Sequence, residues 1–226
     1  MAVLEGTSVD VPGRTQGRKT EHTEKWSICR LLSTLATNDT LFFPLSLQHT
    51  DKPDFILKMN KNEYGIEITE SIPKDYARCR AMAEREKPEA VIDISLFKRG
   101  SPPKSTEELR RIINSSELTG DGWSGNSAEI EWAHHIHDAI STKIEKLNNS
   151  GYKELPEYWL SIYDNLPLPK VNATKATETL ISEISEKWKG YYWVFTRIFI
   201  ESGPIIIDID ISNNTATYHK IVDFCL

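Results

Sequence analysis

The sequence predicts an α/β fold, a central mixed β-sheet flanked by helices. Three observations carry that expectation. Residues 53–70 read as two short strands about a polar turn, with apolar runs at Phe55–Met59 and Tyr64–Thr69 and turn chemistry at Asn60–Glu63. Ser127–Asn149 is the longest stretch of helical periodicity. Glu157–Asp164 follows it, a nearly continuous apolar and aromatic run after Pro156, which suits a buried central strand. A long helix feeding such a strand marks an αβ crossover, and hence a sheet with parallel as well as antiparallel pairs.

The chain has 226 residues, 39% of them hydrophobic and 27% charged, enough to build a core. The expected organisation is a flexible tail over 1–20 and a single domain over 21–226, with an insertion at about 98–127. No apolar run approaches the roughly 18 residues a membrane span needs, so no membrane partner is expected. The N-terminus lacks the apolar stretch of a signal peptide. Cys29, Cys79 and Cys225 are too few and too scattered for a disulfide framework or a zinc knuckle. These features together point to a cytoplasmic protein. The net charge of −6 argues against nonspecific coating of nucleic acid. An enzyme that meets a polyanion through a local basic rim and a metal remains compatible with it.

In chain order, the first helix is expected at Glu21–Thr37, with Trp26, Cys29, Leu32 and Leu35 on one stripe and Thr20 or Thr23 as cap. Glu21 and Glu24 lie on its first turn, where they stabilise the helix dipole. Leu41–Gln48 reads as the first strand, with an irregularity at Pro44. The paired runs of 53–70 follow. Lys74–Lys87 reads as an exposed helix whose Lys74, Arg78, Arg80 and Arg85 either line a phosphate path or form a solvated face. Within the insertion, Lys98 and Arg99 belong to a basic loop, and Ser105 with Glu108 forms a capping-box pattern opening a helix through about Asn114. Trp123 stands in a glycine-rich loop, where it either stacks on a base or anchors the loop. The last third reads as a helix over Asn172–Lys189 and strands at Tyr191–Glu201, Pro204–Ser212 and Ala216–Phe224, with turns at Ser202-Gly203 and Asn213-Asn214.

The chemistry concentrates on two acids. Strand side chains alternate between faces, so Ile66 and Ile68 point one way and Glu67 and Thr69 the other. A mid-strand carboxylate such as Glu67 needs a partner, hydration or a metal. If the two runs pair as a hairpin, Asp54 meets Glu67 on one face at one end, and two such acids suit a hard divalent cation.

Pro53-Asp54 followed by Glu67-Ile68-Thr69 resembles the PD-(D/E)XK pattern of restriction-endonuclease-like nucleases. The resemblance implies a restriction-endonuclease-like core and a Mg²⁺- or Mn²⁺-dependent nuclease acting on nucleic acid, DNA first. Asp54, Glu67 and the Ile68 carbonyl would be its metal ligands, and Glu24 an accessory acid from the first helix. The family's lysine should stand at 69, where this chain has Thr69. That departure favours the alternative, an inactive domain of the same fold that binds nucleic acid or a protein partner.

The helix at 127–149 offers a replacement. On a helical wheel Lys143 falls among Trp132, Ile136, Ile140, Ile144 and Leu147, and Lys146 falls at the edge of that stripe. A lysine on an apolar face must pair with an acid, lose its proton or snorkel to water. Pairing with Asp54 and Glu67 would return an ammonium to the place Thr69 leaves, where it orients the attacking water and offsets developing charge. A lysine moved to a neighbouring helix is a known variation in the resembled family. Lys146 is the reserve, and Arg78, Lys98, Arg99 and Trp123 are the substrate-binding candidates. His134, His137 and Asp138 on the same helix are spaced to touch, and local hydrogen bonds account for them better than zinc does.

Overall fold

The computed structural model describes residues 9, 11–12, 17–149, 151–187 and 191–222, with the side chains of 185–187 excepted. Most of the expected tail over 1–20, and Trp188, Lys189, Asp223 and Phe224 of the expected C-terminal elements, lie outside the described residues. The protein is an α/β structure with a seven-stranded mixed sheet flanked by helices. The elements are α1 (Thr20–Thr37), β1 (Leu45–His49), β2 (Phe55–Met59), β3 (Asn62–Ser71), α2 (Lys74–Glu86), α3 (Thr106–Ser115), α4 (Ser127–Leu147), β4 (Glu157–Asp164), α5 (Ala173–Lys187), β5 (Arg197–Ser202), β6 (Ile205–Asp210) and β7 (Thr215–Lys220). A short 3₁₀ turn at Ile94–Phe97 lies between α2 and α3.

The strands lie side by side in chain order. β4 and β5 are parallel, and the chain between them runs through α5, as parallel neighbours require. The pairs β1–β2, β2–β3, β5–β6 and β6–β7 are antiparallel. The β2–β3 hairpin closes through Asn60 and Lys61, both with positive φ (51° and 66°), the conformation of a two-residue turn that matches strand twist. Its register sets Phe55 opposite Ile66, so position 54 comes next to position 67.

Two compact units divide the chain: residues 1–70, 139–164 and 188–226 in the first, 71–138 and 165–187 in the second. The first holds the sheet and α1. α1 buries Ile28, Cys29, Leu31, Leu32 and Leu35 against Phe55, Leu57, Ile66, Ile68, Trp159, Phe199 and Ile206. By strand alternation, Gly65 and Glu67 belong to the other face, where a Cβ added at Gly65 would lie 2.6 Å from the Tyr158 ring. The second unit has its own small core of Cys79, Ala83, Phe97, Leu109 and Ile113. The capping box expected on α3 is formed: the Ser105 N–H donates to Glu108 Oε2 at 2.7 Å, and the Glu108 N–H to Ser105 Oγ at 3.2 Å.

Two expectations need correction. The cap of α1 is Lys19, whose N–H donates to His22 Nδ1 at 3.0 Å, and neither Thr20 nor Thr23 serves. The strand expected from Tyr191 begins only at Arg197. Aromatic β-propensity misled there, because Trp193 is fixed by a side chain rather than by a ladder: it accepts from Asn148 Nδ2 at 2.7 Å and donates to Asn148 Oδ1 at 2.9 Å. Among the described residues no helix is long and apolar enough to cross a membrane.

Candidate functional site

The first unit brings Asp54, Glu67 and Lys143 together. Asp54 ends the β2 side of the hairpin, where its carbonyl accepts from Thr50 N–H at 2.8 Å and its Oδ2 accepts from the Ile68 N–H at 2.7 Å. The second bond locks the Asp54 side chain across the hairpin, beside Glu67. Lys143 reaches the pair from the C-terminal half of α4. Its Nζ donates to Glu67 Oε2 at 2.6 Å and stands 3.6 Å from Asp54 Oδ2. Its neighbours Ile140, Ile144 and Leu147 are buried, so the same apolar stripe that seats the helix carries the ammonium inward.

One ammonium against two carboxylates leaves the cluster short of positive charge. Glu67 is only 2% exposed, and no hydrogen bond of ordinary geometry reaches its Oε1 from the described residues. A buried carboxylate oxygen so poorly served is costly, and hard cations take such oxygens as ligands. Asp54 feels the same deficit. Burial, and then the charge of Glu67, push its carboxyl up to about 6, against the opposing pull of Lys143 and the Ile68 N–H. Glu24 of α1 adds to that push on Asp54 and accepts from, or pairs with, His49 Nε2 at 3.0 Å. The residues present therefore fit a divalent cation. Among the described residues no group of three or more His, Cys, Asp and Glu side chains is arranged as a metal site. Two carboxylates would have to be completed by a backbone carbonyl and by oxygens of water or substrate, which suits Mg²⁺, an ion that keeps several waters.

Tyr152 is the member the sequence did not reveal. It follows α4 in an aperiodic loop, and its phenol lies beside Glu67 and within reach of the Asp54 charge. Burial first, and then the Glu67 carboxylate, hold that phenol well above its usual range. The loop is tied down at Lys153, next to Tyr152. The Lys153 N–H donates to the Lys52 carbonyl at 3.4 Å, and the Tyr158 hydroxyl donates to the Lys153 carbonyl. No periodicity marks such a residue, and only a polar aromatic a few positions after Lys143 hints at it.

The remaining candidates are placed otherwise. Thr69 is half-buried on β3, and Lys146 is exposed on α4. Arg78, Lys98, Arg99 and Trp123 all belong to the second unit. Arg78 donates to Asp75 at 2.8 Å and to the Lys104 carbonyl at 3.2 Å. Arg99 makes two bonds to Asp138, of 2.6 and 3.0 Å. Trp123 donates from Nε1 to Glu131 Oε2 at 2.6 Å, with the Lys98 ammonium 5.2 Å from its ring centre. Lys98, Arg99, Glu131, His134 and Asp138 line an open cleft of about 630 Å³. Arg99 is engaged by Asp138, and Glu131 offsets the charge of Lys98, so the cleft offers little excess positive charge. His134 pairs with Glu183 at 2.8 Å rather than with Asp138.

Compared with known protein families, with curated proteins and with solved structures, the chain matches none.

Proposed function

We propose that the protein is a divalent-metal-dependent nuclease that hydrolyses phosphodiester bonds, of DNA in the first instance. The observation that carries this reading is the buried Glu67 beside Asp54, met by Lys143 from a helix 76 residues away in sequence. The order α1, β1–β3, α4, β4 supports a restriction-endonuclease-like core, and Lys143 occupies the role that Thr69 vacates. Asp54, Glu67 and the Ile68 carbonyl would hold Mg²⁺ or Mn²⁺. The bound ion would polarise the phosphate and lower the pKa of water. Hydrolysis forms a bond from the water oxygen to phosphorus and breaks one ester P–O bond, with the leaving oxygen taking a proton. Lys143, already aimed at the carboxylates, stands where it can turn its ammonium to a non-bridging phosphate oxygen and offset charge as it develops.

The test is cleavage of plasmid and of short single- and double-stranded oligonucleotides, with Mn²⁺ and with EDTA. Wild type should cleave only with the metal, and Asp54→Asn and Glu67→Gln should each reduce cleavage to background. Cleavage that survives both substitutions removes the site assignment. A second reading, a catalytically inactive domain of the same fold binding nucleic acid or a protein partner, is favoured by Thr69. A folded protein that binds oligonucleotide without metal-dependent cleavage would select it.

A further inference from the structure

An aromatic ladder leads from the candidate site to the surface of the first unit. Gly65 and Glu67 share a face of β3, two residues and so about 7 Å apart. The Tyr158 ring sits directly on Gly65, in the space that a Cβ would need. Trp193 meets Tyr158 edge-on at 5.7 Å between ring centres, and Tyr192 meets Trp193 edge-on at 5.0 Å. Tyr192 is 85% exposed and Tyr191 42%.

The Trp193 end of this ledge is held in place. The two bonds from Asn148 to the Trp193 backbone are joined by a third, from Asn148 Nδ2 to the Ile144 carbonyl at 2.9 Å. Asn148 thus couples the ledge to the end of α4, the helix that presents Lys143. A strongly exposed tyrosine against an anchored tryptophan offers an apolar surface for contact. Close to the site, the exposed Lys52 sets its ammonium 3.5 Å from where a Gly151 Cβ would lie, next to Tyr152.

We propose that the Tyr191–Tyr192–Trp193 ledge stacks the unpaired bases of a single-stranded nucleic acid whose backbone enters the Asp54–Glu67–Lys143 site. The inference rests on the nuclease reading of that site and names its substrate class. Duplex bases hide their faces inside the stack, so an aromatic ledge has nothing to grip there. Every unpaired base offers a π-face, and the grip is therefore tolerant of sequence. Lys52 supplies the cation that a phosphate between ledge and site would meet.

The test is fluorescence anisotropy in EDTA with fluorescein-labelled 12-mers: oligo-dT, oligo-U, an abasic strand with the same phosphates, and a 12-bp duplex. Wild type should bind oligo-dT or oligo-U about tenfold more tightly than the abasic strand. Tyr192→Ala should weaken that binding about tenfold and Tyr192→Phe should leave it intact, because only the ring is needed. Equal binding of abasic and base-bearing strands overturns the proposal, as does equal binding by Tyr192→Ala. So does a dimer in sedimentation that Tyr192→Ala dissociates, since the ledge would then be an interface between copies. The two readings fail separately. Ring-dependent binding without metal-dependent cleavage upholds the ledge and removes the nuclease, while cleavage with ring-independent binding does the reverse.

Discussion

Two buried charge clusters sit on opposite faces of the same sheet, and they differ in whether their charges are satisfied. On the α1 face, Asp208 of β6 accepts from Arg197 of β5 through both carboxylate oxygens and lies 3.3 Å from His219 Nε2 of β7. The Arg197 guanidinium also covers Trp159 and Phe199, 5.5 and 4.9 Å from their ring centres. One acid there has a guanidinium on both its oxygens and an imidazole nitrogen beside it. On the other face, Asp54 and Glu67 share the Lys143 ammonium, with the Ile68 N–H on Asp54 and the Tyr152 phenol beside Glu67, and among the described residues no well-formed hydrogen bond reaches Glu67 Oε1. A saturated cluster ties three strands together. A less satisfied one leaves capacity for a ligand, and the proposed function draws on that contrast.

The largest expected effect falls on Lys143. If the site cleaves as proposed, Lys143→Met removes the charge partner of the phosphate, and cleavage should drop by about 10²- to 10³-fold. Without metal, the two acids lose the Lys143 ammonium and thermal stability should fall. Mn²⁺ should then bind more tightly than in wild type, with no ammonium to displace, and restore the melting temperature by mass action. Equal or weaker Mn²⁺ binding by calorimetry would show that Lys143 does not compete with an ion at this place.

Asp208→Asn sharpens the contrast from the other face. It strands Arg197 with half its partner, and removing one member of a buried pair typically costs about 3 kcal/mol. Denaturant unfolding should register that loss at every Mn²⁺ concentration alike, while cleavage by the folded protein stays unchanged. A melting temperature that Mn²⁺ restores in Asp208→Asn as it does in Lys143→Met would break the distinction between the clusters.

The unsaturated cluster was far more legible in the sequence than the saturated one. Pro53-Asp54 and Glu67 sit in a hairpin whose apolar runs and turn are local, so their meeting follows from short-range pairing. Lys143 is readable because a charge in the middle of an apolar stripe violates helical patterning, and the violation needs a partner. Asp208 is a mid-strand carboxylate like Glu67, but its partners Arg197 and His219 lie on other strands, where register alone decides who meets whom. Tyr152 and the Tyr191–Trp193 ledge escaped for a related reason. They occupy loops without period, positioned by single side-chain bonds such as those of Asn148, and the aromatic run reads by propensity as a strand.

The smallest effect, and the most specific to the less satisfied cluster, is the pH dependence of Asp54→Asn. The folded carboxyl is pushed up to about 6 from an ordinary value of 3.8. Between those values the folded chain keeps a proton that the unfolded chain has released, so stability falls as pH rises from about 4 to about 6 and stays lower above. Asparagine carries no such proton and can still accept from the Ile68 N–H. Metal-free Asp54→Asn should therefore gain on wild type by about 1–2 kcal/mol above pH 6, after allowance for solvent screening, and lose that advantage below about pH 4. Saturating Mn²⁺ should reverse the order at neutral pH, since a cation stabilises the ionised form that burial and Glu67 oppose. Parallel stability curves for variant and wild type across pH 4–7 would mean that Asp54 is not strained by its neighbour, and the capacity assigned to this face of the sheet would have no source.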